Sequence, residues 1–193
     1  MEEHRKTNHV FPRVDWDFED IGFDNGSILD IGGGGEGVIG QLKGDDVVAI
    51  DFKEEELLEA ADGPLKIIMD ARDLKFLDES FPSVTAFFAL MYIKEKGDQL
   101  KVFQEVARVL KPGGKFHIWE VDLAEKPETD KEFYIVHLRY KTGPEFKETG
   151  YGMRWSEYPR GMGHYLEMAE AVGLVEDTSR LVGNTFHLCL RKL

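Results

Sequence analysis

The chain has 193 residues, enough for one domain with a full hydrophobic core, and its 37 acidic against 24 basic residues give a net charge of −13. The acids are spread along the chain, and no cluster of Lys and Arg offers the phosphate neutralisation that nucleic-acid binding needs. One cysteine, Cys189, allows no intrachain disulfide and no cysteine-rich metal site, and no run reaches the about eighteen apolar residues of a membrane span, so the sequence predicts a soluble cytoplasmic protein with no metal and no span.

The polar residues 1–8 lack the apolar core of a secretory signal. Ile28-Leu29-Asp30-Ile31 then reads as a buried strand, which breaks into Gly32-Gly33-Gly34-Gly35-Glu36-Gly37 and resumes as a short helix over 38–42. Glycines at a strand-to-helix turn allow positive φ and let a ligand lie on the main chain, and Gly32, Gly34 and Gly37 keep the G-x-G-x-x-G spacing. Val47-Val48-Ala49-Ile50-Asp51 is a second strand, ending in a carboxylate nineteen positions after Gly32. Such an acid accepts from both hydroxyls of an adenosine ribose, and Asp51 also suits the N-cap of a helix over 53–62. Phe52 beside it lies against an adenine or packs in the core.

Further strands are predicted at 66–70, 84–90 and 115–121, the fourth too uniformly apolar to be anything but central in a covered parallel sheet. Asp98 is expected to cap a helix whose Leu100, Phe103, Val106, Ala107 and Leu110 recur at helical spacing and which Lys111-Pro112-Gly113-Gly114 stops. A helix over 165–172 ends at Gly173, and strands at 174–178 and 185–191 join across Gly183-Asn184.

Met69-Asp70-Ala71-Arg72-Asp73-Leu74, Arg108-Val109-Leu110-Lys111-Pro112-Gly113-Gly114-Lys115 and Ala171-Val172-Gly173-Leu174 with the closing strands, taken with the glycine loop, resemble the class I S-adenosylmethionine-dependent methyltransferases, especially the small quinone-biosynthesis-like branch. The resemblance implies a single α/β domain over 1–193: a Rossmann-like, doubly wound, seven-stranded, mostly parallel sheet with helices on both faces and an antiparallel last strand beside the fifth. It implies S-adenosylmethionine as cofactor, with Asp30 facing the methionine ammonium, Gly32, Gly33, Gly34 and Gly37 contacting the methionyl and ribose parts, and Asp51 taking the ribose hydroxyls. Asp70 and the Ala71 amide would bind the adenine, with Leu90 and Met91 lining the cofactor. The other reading of Asp70 is a turn carboxylate beside Arg72.

A sulfonium donor carries both electrophile and leaving group, so alignment in a dry pocket matters more than a catalytic triad. Residues 122–163 are too long for an ordinary connection and are expected to form a substrate lid, with 132–141 alternating so that Tyr134, Val136, Leu138 and Tyr140 share one face and Phe133, Ile135, His137 and Arg139 the other. His137 and His164 are the candidate bases. The fourth strand lacks the Asn/Asp-Pro-Pro-aromatic turn that the family uses for amide and base amino groups, and Met91-Tyr92-Ile93-Lys94 replaces the histidine usual there. The expected acceptor is therefore a small molecule or a protein side chain, with oligomeric state left open. Two rivals are an NAD(P)-dependent oxidoreductase, which shares the glycine turn, and a non-catalytic cofactor-binding regulatory protein.

Overall fold

A computed structural model describes residues 7–18, 21–142 and 145–193. Met1, which opens the polar N-terminal stretch, and the next five residues lie outside them. In chain order the elements are β1 (Asn8–Val10), β2 (Val14–Trp16), β3 (Ile28–Ile31), α1 (Val38–Lys43), β4 (Val47–Asp51), α2 (Glu54–Glu59), β5 (Leu65–Ile68), β6 (Phe81–Phe87), α3 (Lys96–Val109), β7 (Leu110–Val121), β8 (Phe133–Thr142), β9 (Glu145–Arg154), α4 (Met162–Ala171), β10 (Leu174–Val182) and β11 (Thr185–Lys192).

Seven strands form one sheet in the order β10-β11-β7-β6-β3-β4-β5. From β7 to β5 the neighbours are parallel, whereas β11 runs antiparallel to β7 and β10 antiparallel to β11, as the sequence predicted. The central strands carry branched and aromatic side chains on both faces because both are covered. One face packs Val102, Phe103 and Val106 of α3 and Tyr165 and Met168 of α4 against Leu29, Val84, Phe116 and Ile118. The other buries Val38 and Ile39 of α1 and Leu57 of α2 with Ala49, Phe87 and Trp119.

That second face is completed by a four-stranded sheet, of which the sequence announced the alternating stretch at 132–141 but not β1 and β2. β8 pairs antiparallel with β9 and, along its other edge, parallel with β1 and β2. The alternation of β8 holds: Tyr134, Val136, Leu138 and Tyr140 are buried while the residues between them are not.

Three local expectations are corrected. Asp51 does not cap α2; Lys53 holds the N-cap position, and the Asp51 carboxylate instead accepts the Lys53 N–H at 3.0 Å in a local turn. Asp98 lies inside the first turn of α3, which Glu95 opens, and its carboxylate pairs with Arg72 at 2.7 Å and Lys101 at 2.8 Å. The fourth strand stops at Phe87, because Phe88 takes a positive φ of 50° and turns the chain into a short 3-10 turn at Leu90–Tyr92.

Candidate functional site

In an open parallel sheet a ligand lies beyond the carboxyl ends of the strands. Here β3 delivers Asp30 and the glycine loop, β4 delivers Asp51 and Phe52, and β6 and β7 deliver the Leu90–Tyr92 turn and Glu120. Asp70 and Ala71 follow β5.

The loop is held from below and from the side. The Gly32 and Gly33 amides donate to the Ile50 carbonyl at 2.8 and 3.1 Å, and that of Gly35 to the Glu56 carbonyl at 2.7 Å. Gly32, Gly35 and Gly37 take positive φ, a region that only glycine occupies cheaply. Gly34 has an ordinary φ, and its reason for being glycine is different: a Cβ there would lie 2.5 Å from the Glu56 Cβ and 3.1 Å from an Asp51 carboxylate oxygen. α2 packs directly on the loop.

Asp30, 2% exposed, lies beneath the loop, accepting a hydrogen bond from the Thr85 hydroxyl at 2.6 Å. Burial raises its carboxyl to about 7, against the Thr85 bond and helped by the charge of Asp51. Asp51 is half-buried and also shifted up, chiefly by burial, and the neighbouring Glu56 adds to the rise. Phe52, 69% exposed, is not a core residue; its ring stands at the strand end with the Lys53 ammonium 5.6 Å from its centroid.

Asp70 lies in the turn arrangement that was its other reading. Arg72 donates to both of its oxygens, at 2.6 to 3.0 Å, and holds its carboxyl below the usual range. An adenine would share that carboxylate with the guanidinium.

Strands β8 and β9 contact the glycine loop and α1 at this end of the sheet. From β9, Thr149 donates to a Glu36 oxygen and the Tyr151 hydroxyl to the other at 3.2 Å, while Lys147 of β9 and Thr142 of β8 reach Gln41 of α1. Tyr151 also stacks on Phe88. Phe88 and Glu79 are the two non-glycine positive-φ positions among the described residues, and a bulky residue in that conformation marks a place where the surroundings impose strain.

The histidine candidates separate. His137 belongs to the outward set of β8, packed on Gly150, so the alternation that buries Tyr134 and Tyr140 turns it away from the glycine loop. His164 is buried in α4, where its Nε2 lies 2.8 Å from Gln99 Oε1, and Gln99 in turn donates to the Leu90 carbonyl at 3.0 Å. Burial lowers its ring to about 4, so it is neutral near pH 7 and braces the turn that carries Leu90 and Met91. Sequence reasoning missed Glu36, Phe88, Glu120, Tyr151 and Arg160. A charged residue closing the apolar run Phe116-His117-Ile118-Trp119 was the available signal for Glu120.

Among the described residues no group of three or more His, Cys, Asp or Glu side chains could hold a metal ion, and no helix is long and apolar enough to cross a membrane.

Residues 29–118 match the methyltransferase domain family. A sterol 4-C-methyltransferase of Caenorhabditis elegans is 35% identical over 80 residues, 40% of this chain and 23% of that protein, so the match spans less than a quarter of the relative. Among solved structures, a SAM-dependent methyltransferase of Methanosarcina mazei has 20% identity and a TM-score of 0.62 over 86% of this chain and 92% of its own. One from Mesorhizobium loti has 17% identity and a TM-score of 0.61 over 86% and 90%. At these identities the likeness is one of fold. Residues 29–118 are therefore similar to a methyltransferase domain, and the chain shares the fold of these SAM-dependent methyltransferases.

Proposed function

We propose that the protein transfers a methyl group from S-adenosylmethionine to a small-molecule acceptor, a protein side chain being the second choice. The observation that carries this reading is the placement of two carboxylates, Asp30 and Asp51, at the ends of adjacent parallel strands on either side of the glycine loop. The donor set fits the cofactor: Asp51 would accept from the ribose hydroxyls, Asp30 would face the ammonium, and the exposed Phe52 ring would flank the adenine with Ala71. Gly32, Gly33, Gly34 and Gly37 would carry the main chain past the methionyl part. Leu90 and Met91 would line its inner side. When bound, the cofactor supplies the electrophilic methyl and the thioether leaving group.

The chain's own part is to bind, orient and exclude water. Residues 122–163 act as the lid of a single domain spanning 1–193. The inner face of the hairpin, with Tyr134, Val136, Leu138 and Tyr140, packs into the core and seats the lid on the sheet, and the nematode relative, named for a sterol, puts sterols among the acceptors to be tried. A general base is not needed for an acceptor with a free lone pair, and the placement of His137 and His164 supports neither as one. The lone Cys189, buried in β11, suits a cytoplasmic setting.

Calorimetric titration with S-adenosylmethionine, S-adenosylhomocysteine and NADH, followed by an acceptor screen that includes sterols, tests this. Tight binding of the first two is expected. Preferential binding of NADH would instead favour an oxidoreductase, and binding without turnover across the screen a regulatory protein.

A further inference from the structure

Met91 is held at both of its backbone groups by buried polar side chains from different parts of the chain. Its N–H donates to Glu120 Oε1 at 2.9 Å, and its carbonyl accepts from Arg160 Nη1 at 3.0 Å. Glu120 is 1% exposed at the end of β7, and Arg160 is 5% exposed just before α4. Arg160 Nη2 extends the grip to the Lys94 carbonyl and, at 2.9 Å, to the Tyr158 hydroxyl, which itself donates to the Lys94 carbonyl at 2.8 Å. Arg160 also closes the base of the 122–163 segment, because its amide and carbonyl bridge those of Leu123. Its Nε is buried with no partner.

Stability alone does not account for this arrangement. Burying a carboxyl and a guanidinium is expensive, and apolar side chains of similar volume often do as well or better. A buried N–H left over on Arg160 adds to the cost. What the pair provides is a fixed path for the chain immediately after the strained Phe88, at the one residue that meets the strand end on one side and the lid stem on the other.

Resting on the cofactor reading above, we propose that Glu120 and Arg160 are positioning residues that pin Met91 against the cofactor, and that Arg160 links the position of the hairpin to that turn. A ligand that orders the turn then also orders the hairpin, and the coupling acts equally in both directions.

The test uses the full chain and S-adenosylhomocysteine, with three readouts: affinity by calorimetry, melting temperature, and hydrogen exchange with and without ligand. Glu120→Gln keeps an acceptor for the Met91 N–H and is expected to bind within about threefold of the parent, whereas Glu120→Met removes the acceptor at similar volume and is expected to bind roughly tenfold more weakly with its melting temperature kept or raised. A merely structural role would lower melting temperature and affinity together. In Arg160→Gln, ligand should still slow exchange in the glycine loop but no longer across 145–154. If that variant does not fold, Arg160→Lys keeps the charge but cannot span Met91 and Lys94 together, and the same loss of coupling is expected. Unaltered affinity in Glu120→Met, or hairpin protection unchanged in the Arg160 variant, with the parent still binding, would overturn the clamp alone. A parent that does not bind S-adenosylhomocysteine would overturn the proposed function and the clamp with it.

Discussion

Tyr151 lies flat on Phe88, with ring planes 4° apart and centroids 5.0 Å apart, so the inner face of the hairpin rests on a residue whose own backbone is strained. The same tyrosine reaches Glu36 of the glycine loop through its hydroxyl. Tyr151→Phe keeps the stack and removes the hydrogen bond, at a cost of about 1 kcal/mol, while Tyr151→Ala removes both. Hydrogen exchange over 145–154 should quicken modestly in the first and strongly in the second. Equal exchange in parent and Tyr151→Ala would show that the hairpin is held elsewhere.

Asp30 should make cofactor binding depend on pH. Its carboxyl titrates near 7 in the free protein because it is buried, and a bound ammonium would favour the ionised form, so binding releases a proton. Affinity for S-adenosylhomocysteine should therefore rise between pH 6 and pH 8 and flatten in Asp30→Asn. A parent profile identical to that of the variant would place the ammonium away from Asp30.

Glu120 bears on stability rather than on ligand charge. Burial raises its carboxyl from 4.5 to about 8, so between those values the folded chain holds a proton that the unfolded chain has lost. The sign follows: its contribution is full below pH 4.5 and is lost as pH rises through 8. Denaturant unfolding of Glu120→Gln across pH 6 to 9 should show a shallower decline than the parent. Parallel curves would mean that Glu120 is ionised throughout.

Gly34→Val should injure the fold before it injures binding. Its Cβ would collide with Glu56, an overpacking that costs about 1–3 kcal/mol. Gly34→Ala meets the same atoms and should lose melting temperature as well. Full stability in both variants would contradict the packing of α2 on the loop.

Asp51→Ala should weaken S-adenosylhomocysteine binding by about 1.5–3 kcal/mol, the size of a lost charged hydrogen-bond partner. Its own hydrogen bond in the free protein is local, to the Lys53 amide, so little melting temperature should be lost. Unchanged affinity with the fold intact would take Asp51 out of the site.

The seven-stranded sheet was legible because each central strand is a short apolar run closed by a turn signal, and a run such as Val84-Thr85-Ala86-Phe87 has no stable place except between covered faces. The glycine loop and Asp51 were legible for a related reason, since their spacing is set by one strand-helix-strand unit. β1 and β2 were not legible: each has three residues, too few for a period, and each is a strand through its pairing with β8. The Glu120 and Arg160 hold on Met91 was equally hidden, because it joins three distant stretches through backbone groups that carry no sequence signal. Asp70 illustrates the opposite case, where the competing Arg72 was visible two positions away and the turn geometry decided between the readings.

The parallel pairing of β1 and β2 with β8 has a consequence for biosynthesis. Asp15 and Arg139 are bonded across 124 positions, so this part of the second sheet cannot close until most of the chain has left the ribosome. The strands that flank the glycine loop, β3, β4 and β6, and the helix α2 packed on it are by contrast all complete by Phe87. A nascent chain can thus present the strand ends while they are still uncovered, and the N-terminal strands must wait, unpaired, for the partner that seals them.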